Sequence, residues 1–259
     1  MKRWNCLRTK RSRLGIIKKG VLIVMEKTSA IFDKLAKTYE ENVDFDNPYN
    51  NDYERPAMIS NIPSNIAGKS VLDAGCAAGW YSEYLSHQGA IVTGVDISKK
   101  MIEAANRRIG DKAKFVCHDL QEDLPFGENE FDLIISSLSL HYLKDWDRTF
   151  SEFNRILKHE GTFLFSVHHP FMDFHNFDSE DYFQKELLTD TWKKSDLTVD
   201  VHFYRRPLQE IVMETIRFFQ LGKIIEPQPR DQMKHKYLKG YQYLMKNPHF
   251  LIVKAKSKK

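Results

Sequence analysis

Lys69–Gly79, read KSVLDAGCAAG, decides the fold. Ser70, Val71 and Leu72 make a short apolar approach containing a β-branched residue. Asp73 follows, and small or glycine residues then arrive quickly at Ala74, Gly75 and Gly79. This order predicts a buried parallel strand that enters a tight loop and then a helix. Glycine permits positive φ and lets backbone come close to a ligand. The helix expected over Trp80–Gln88 aims its free N–H groups at whatever occupies the loop. The loop reads G-x-x-x-G, not the G-x-G-x-x-G of dinucleotide sites, and it has no Gly-Lys-Ser/Thr of a Walker loop. A carboxylate at Asp73 disfavours a pyrophosphate there and suits a ligand bearing an ammonium group. The ligand class indicated is a nucleoside that carries an amino acid.

Outward from this loop the chain alternates strand and helix. Ala90–Asp96, AIVTGVD, predicts a second buried strand ending in an acid 17 residues after Gly79. An acid at that strand end is placed to accept hydrogen bonds from ribose hydroxyls. Ser98 is the expected N-cap of a helix over Lys100–Arg108. Further strands are expected at Ala113–Cys117, Phe131–Ser136 and Phe163–Val167. Asp147–Leu157 predicts a helix with Phe150, Phe153, Ile156 and Leu157 as its buried stripe. Gly161 is expected at positive φ in the turn after it. Open sheets bind ligands at the carboxyl ends of their strands, so Ser137, Leu138 and His141 should border the reacting group's path. His168 and His169 directly follow the fifth strand. With His141 they are the candidate acid/base groups, because imidazole titrates near neutrality.

The run D-A-G-C-A-A-G, with acids at Asp96 and Asp119 at matching intervals, resembles the first motif of the class I S-adenosylmethionine-dependent methyltransferases. The branch it is most similar to is the small-molecule, type 11-like group that includes quinone and biotin-pathway enzymes. Pro125-Phe126 followed by Phe131-Asp132 matches that family's P-F-x-x-x-x-F-D, and the resemblance covers Ile31 to Lys254. It implies a Rossmann-like α/β fold: a seven-stranded, mostly parallel sheet with helices on both faces. The last strand, His249–Ala255, would insert antiparallel. It implies S-adenosylmethionine as cofactor, with Asp73, Gly75, Cys76 and Gly79 around the amino-acid end. Asp96 would take the ribose, Ile97 the adenine face, Asp119 the adenine amine and the Leu120 amide a ring nitrogen, with Ser137 close to the methyl group. In such enzymes the segment before the first strand closes over both ligands. Tyr39, Tyr53 and Arg55 are the candidates for that cover here, Arg55 for the cofactor carboxylate and the tyrosines as caps.

The 259 residues suffice for one large α/β domain with a modest addition. Aromatic residues are plentiful, 17 Phe and 11 Tyr, and many fall outside the expected sheet. They line an apolar cavity or pack a helical cover. Thr28–Tyr39 reads as an amphipathic helix, and residues 170–204 read as an inserted substrate lid with an added strand at Val199–Tyr204. Pro207 should begin a helix that Gly222 ends, ahead of a sixth strand at Lys223–Glu226. Residues 1–24 hold eight Lys/Arg and no acid, and read as a basic flexible extension of a domain over 25–259. Without them 31 basic residues face 35 acidic ones, so the domain has no global pull on nucleic acid. Cys6, Cys76 and Cys117 form no disulfide or metal pattern, which fits a reducing, cytoplasmic setting. No apolar run reaches transmembrane length.

The expected reaction moves a methyl group to a small apolar or aromatic acceptor by in-line displacement, without a metal. The expected assembly is a monomer or homodimer. Other readings stay open: a methyltransferase acting on tRNA or another macromolecule, a nucleotide-dependent oxidoreductase, or a non-catalytic nucleoside-binding protein.

Overall fold

Strand β1 (Ser70–Ala74) lies parallel between β2 (Ile91–Asp96) and β4 (Phe131–Ser137), with β3 (Ala113–Cys117) outside β2. Beyond β4 comes β5 (Leu157–His168), also parallel. The sheet is completed by β9 (Phe250–Ser257), antiparallel to β5, and β8 (Phe219–Ile225), antiparallel to β9. The order β3-β2-β1-β4-β5-β9-β8 is thus a seven-stranded Rossmann-like sheet with its last strand inserted antiparallel. Strand order reverses between β1 and β4, and ligands bind outside the carboxyl ends at such a switch. The computed structural model describes residues 20–43, 47–194 and 197–259. Most of the basic stretch expected as a flexible extension, residues 1–19, lies outside the described residues.

Alternation along the strands sorts the core into two layers. Phe163, Phe165 and Val167 of β5 face α5 (Asp147–Ile156), where Phe150 and Phe153 are fully buried. The rings meet edge-on, Phe150 to Phe163 at 5.3 Å, or stacked, Phe163 to Phe165 at 4.8 Å. Such pairs add to the gain from area burial. On the opposite face Val71, Leu133, Ile135 and Leu164 pack with Met58 of α2 (Arg55–Ile59) and with Tyr81 and Leu85 of α3 (Trp80–His87). Helix α4 (Lys99–Ile109) starts at Ser98, whose hydroxyl accepts from the Met101 amide at 3.1 Å, as its sequence predicts.

Helix α1 (Gly20–Thr38) begins ahead of the amphipathic stretch read from the sequence. Its Leu35 and Ala36 cluster with Ala78, Met101 and Ala104, and with Val199 and Val201 of a two-stranded ribbon. That ribbon pairs β6 (Glu186–Lys194) antiparallel with β7 (Leu197–Arg205), and α6 (Pro170–Asn176) precedes it. Only the second of these strands was foreseen. The run Thr189-Asp190-Thr191 before Trp192 hides the apolar alternation of the first.

Two glycine expectations are corrected. Gly161 is not at positive φ; Glu160 is, at +56°. Glycine is required at 161 for space, since a Cβ there would stand 2.7 Å from Leu157 Cγ and 2.8 Å from the Lys158 carbonyl oxygen. Gly222 ends no helix. Helix α7 (Leu208–Phe218) stops before β8, and Gly222 sits inside β8 where the register with β9 shifts. A glycine inside a strand commonly marks such a bulge. The remaining helix, α8 (Met233–Leu244), covers the start of β9 through Met233, Leu244 and Phe250. Gly161→Ala should destabilise the fold by about 1–3 kcal/mol, the usual cost of overpacking, and urea unfolding measures it.

Candidate active site

The loop after β1 is pulled onto the end of β2 by backbone bonds. The amides of Gly75 and Cys76 both donate to the Val95 carbonyl, at 2.8 and 2.9 Å. The Ala77 amide donates to Asp96 Oδ2 at 2.9 Å, and the Ser98 amide to Asp96 Oδ1 at 2.8 Å. Three loop residues take positive φ: Gly75 at +79°, Ala77 at +47° and Gly79 at +83°. Gly79 is the N-cap of α3. The loop after β4 presses on Gly75, where a Cβ would stand 1.9 Å from Ser139 Oγ. The structure therefore brings Gly75, Cys76, Gly79 and Asp96 together at the switch point.

Asp96 is half-buried, and burial pushes its carboxyl up to about 6 against the pull of the two amides. Each oxygen accepts one amide and keeps capacity for another donor. Asp73 is placed differently from the sequence reading. Its carboxylate accepts from Ser82 Oγ at 2.6 Å and is 1% exposed, so it anchors α3. Burial, with the Asp96 charge as a smaller contribution, pushes it up to about 7. Burial likewise raises the Cys76 thiol well above its usual range. Asp119 is half-buried and accepts from the Gln121 amide at 2.9 Å. The Leu120 side chain joins the core, and its carbonyl accepts from Thr149 Oγ1 at 2.9 Å. Ile97 lies half-buried just beyond Asp96. Asp33 of α1 was not read from the sequence. It accepts from Ser98 Oγ at 2.6 Å and from the Lys100 amide at 3.1 Å, fastening α1 to the start of α4.

On the far side of the loop after β4, the rings of His141 and His168 stack with centroids 4.1 Å apart. Phe203 of β7 meets both edge-on, at 5.8 and 4.7 Å. His141 is 3% exposed, and neither ring nitrogen has a hydrogen-bond partner among the described residues. Burial first, then the nearby His168 and Arg206, hold its pKa well below the usual imidazole range. His168 Nδ1 stands 3.5 Å from Asp173 Oδ1. His141, His168, Asp173 and Arg206 border a cavity of about 10 Å³.

His169 does not join this pair. Its Nε2 pairs with Glu226 Oε1 at 2.8 Å, while Nδ1 accepts from the Phe171 amide as the N-cap of α6. That arrangement fixes the neutral Nε2–H tautomer. His249, at the end of the last crossover, was missed. Its ring lies 6.5 Å from His168, and burial pushes its pKa down to about 3.

The three cover candidates separate. Tyr39 is half-buried and meets Phe32 edge-on at 6.3 Å, and Phe32 meets Tyr142 at 5.1 Å. Tyr53 is wholly buried, so it lines no open channel. Its hydroxyl accepts from the His249 amide at 2.9 Å, and its ring stacks on Phe250 at 5.3 Å. Arg55 lies over the Trp80 ring at 3.9 Å and donates to Asn51 Oδ1 at 2.6 Å. Ser137 is engaged as well, donating to Glu54 Oε1 at 2.8 Å. Glu54 carried no sequence signal beyond standing at the end of an Asn- and Asp-rich stretch, which folds as a π-helical turn over Asn50–Glu54.

The family model described as a methyltransferase domain, type 11, matches residues 72–165, the span from β1 to β5. A solved Listeria monocytogenes protein assigned as an S-adenosylmethionine-dependent methyltransferase superposes with a TM-score of 0.70 and 26% identity. The superposition covers 80% of this chain and 97% of that one. The stretch from β1 to β5 is thus a methyltransferase domain, and the chain around it resembles an S-adenosylmethionine-dependent methyltransferase along most of its length. An uncharacterised protein of Haemophilus influenzae is 28% identical to this methyltransferase over 78% of the chain and 86% of its own length. The malonyl-[acyl-carrier protein] O-methyltransferase of Buchnera aphidicola is 34% identical over 44% of the chain. That match spans about half of the relative's length, 49%. The methyltransferase's cofactor is S-adenosylmethionine, and the site fits it: a loop with no side chain at 75, and a half-buried carboxylate at 96 with acceptor capacity to spare. Among the described residues no helix is long and apolar enough to cross a membrane.

The Asp73 carboxyl has a folded pKa near 7, above its unfolded value near 3.8. Its stabilising contribution is therefore complete below the unfolded value and is lost as pH rises through 7. Asp73→Asn keeps an acceptor for Ser82 and removes that titration. Between pH 5 and pH 8 the wild type should lose more thermal stability than the variant, as calorimetric Tm values will show; equal losses would contradict the assignment.

Proposed function

We propose that this chain transfers the methyl group of S-adenosylmethionine to a small apolar or aromatic acceptor by in-line displacement. The observation that carries this reading is the adjacency of two regions. The Gly75–Gly79 loop, with Asp96 beneath it, lies on one side of the turn after β4, and a stacked histidine pair walled by Phe203 lies on the other. Asp96 would accept from the ribose hydroxyls. Asp119, Ile97 and the Leu120 amide would meet the adenine, and Gly75, Cys76 and Gly79 the amino-acid end. When bound, S-adenosylmethionine supplies a methyl group activated on a sulfonium. The remaining work is alignment and exclusion of water, and it falls to the chain's own residues.

Helix α1 and β7 support such exclusion, since Leu35, Ala36, Val199 and Val201 pack over Ala78 beside the loop. Tyr39 and Tyr142 extend the aromatic wall toward His141. An acceptor hydroxyl or amine would pass its proton to His168 at Nε2, with Asp173 near Nδ1 steadying the imidazolium. His141, kept neutral by its surroundings, would offer the acceptor a hydrogen-bonding edge without a charge.

Two variants separate the parts. Asp96→Ala should weaken S-adenosylhomocysteine binding about tenfold or more, the loss of a charge-assisted hydrogen bond, read by calorimetry. His168→Ala should leave that affinity within about twofold and lower methyl transfer about a hundredfold or more. The assay uses labelled methyl donor against phenols, quinols, aromatic amines and total tRNA. Transfer to tRNA alone would overturn the small-acceptor reading, and undiminished transfer by His168→Ala would remove the base.

A further inference from the structure

Ser137 and Ser166 are direct partners in the β4–β5 register. Their side chains therefore leave the same face of the sheet, at the carboxyl ends of adjacent strands. That face also carries Leu133, Ile135 and Leu164, which pack with residues of α2 and α3. One carboxylate, from the segment just before α2, gathers both hydroxyls. Glu54 Oε1 accepts from Ser137 Oγ at 2.8 Å and from Ser166 Oγ at 2.6 Å. Glu54 Oε2 accepts from Tyr81 OH of α3 at 2.8 Å. Glu54 is 1% exposed, so it reaches no ligand itself.

Its effect passes through Ser166. Because the Ser166 hydroxyl gives its proton to Glu54, its lone pairs face outward, and it accepts from the Leu138 amide at 3.0 Å. The Leu138 amide is shared with the Ser166 carbonyl, also at 3.0 Å. Leu138 sits at φ +48°, a left-handed conformation that costs a non-glycine residue about 1–3 kcal/mol and persists only when its surroundings fix it. The next residue, Ser139, is the one pressed against Gly75, and His141 follows two residues on. Contacts thus run unbroken from Glu54 through Ser166 and Leu138 to the glycine loop on one side and the histidine pair on the other.

We propose that Glu54 is a positioning residue for methyl transfer: it fixes the strained turn after β4 that seats Ser139 on Gly75 and carries His141 to the acceptor side. The inference rests on the methyltransferase reading above. Glu54→Ala removes the acceptor from three hydroxyls. Glu54→Gln keeps an acceptor for both serines and offers its amide to the Tyr81 oxygen, so it should rescue.

The test measures S-adenosylhomocysteine affinity by calorimetry and amide exchange over residues 138–141. It compares wild type, E54A, E54Q, S166A, the double variant E54A/S166A, and F153L as a destabilised control on the opposite face of the sheet. E54A should weaken binding about tenfold and speed exchange at 138–141 about tenfold, while E54Q stays within about threefold on both. F153L should leave both readings unchanged despite its lower Tm. The double variant should bind no more weakly than E54A, because one chain of contacts is cut twice. Wild-type binding and protection in E54A, or full additivity with S166A, would overturn the proposal. Should E54A not fold, S166A and E54Q decide: S166A must show the tenfold loss and E54Q must not. If wild type takes up no S-adenosylhomocysteine, the methyltransferase reading fails by itself. Exchange at 138–141 then still judges Glu54, faster in E54A supporting its role and unchanged exchange refuting it.

Discussion

A side chain at residue 75 has nowhere to go. Ser139 occupies the space that a Cβ would need, and the Gly75 and Cys76 amides are both committed to the Val95 carbonyl. This close approach of two loops, one after β1 and one after β4, sets most of what surrounds it. It brings Ala77 onto Asp96, lets α3 begin at Gly79, and leaves the turn at Leu138 in a left-handed conformation. The sheet supplies the frame, because β1 and β4 are neighbours at the point where strand order reverses.

Around that approach the structure buries carboxylates and imidazoles and gives most of them defined partners. Asp73 is held by Ser82, Glu54 by three hydroxyls, and Asp33 joins Ser98 to α1. Removing one partner of a buried polar group costs more than making the bond gains. These groups therefore set geometry more than they add stability. The imidazoles follow the same division. His169 is committed to Glu226 and the Phe171 amide, whereas His141 is buried with open nitrogens beside His168.

The sheet was legible because its strands carry short β-branched runs ending in Asp73, Asp96 and Ser137, each followed by turn residues. The glycine loop was legible because only a few residue types tolerate its φ values. Three things were hidden. Asp73 gave no sign that Ser82, nine residues later, would claim its carboxylate, since that contact depends on how α3 docks. Glu54 ends a short π-helical turn, Asn50–Glu54, and its partners come from strands 83 and 112 residues away. Gly161 was assigned to a positive φ, when crowding by Leu157 is what excludes a side chain, and Gly222 was assigned to a helix end, when it lies inside β8 against the Lys254 carbonyl. Local pattern predicts elements well; it does not predict which polar groups meet across them.

The central claim is that the contact between residues 75 and 139 forms the floor of a nucleoside site. Calorimetric titration of pure folded protein with S-adenosylhomocysteine, run beside Gly75→Val, tests it most directly. The account predicts one molecule taken up per wild-type chain and none by a Gly75→Val protein whose circular dichroism is unchanged. Equal uptake by both, or no uptake by the wild type, would contradict it.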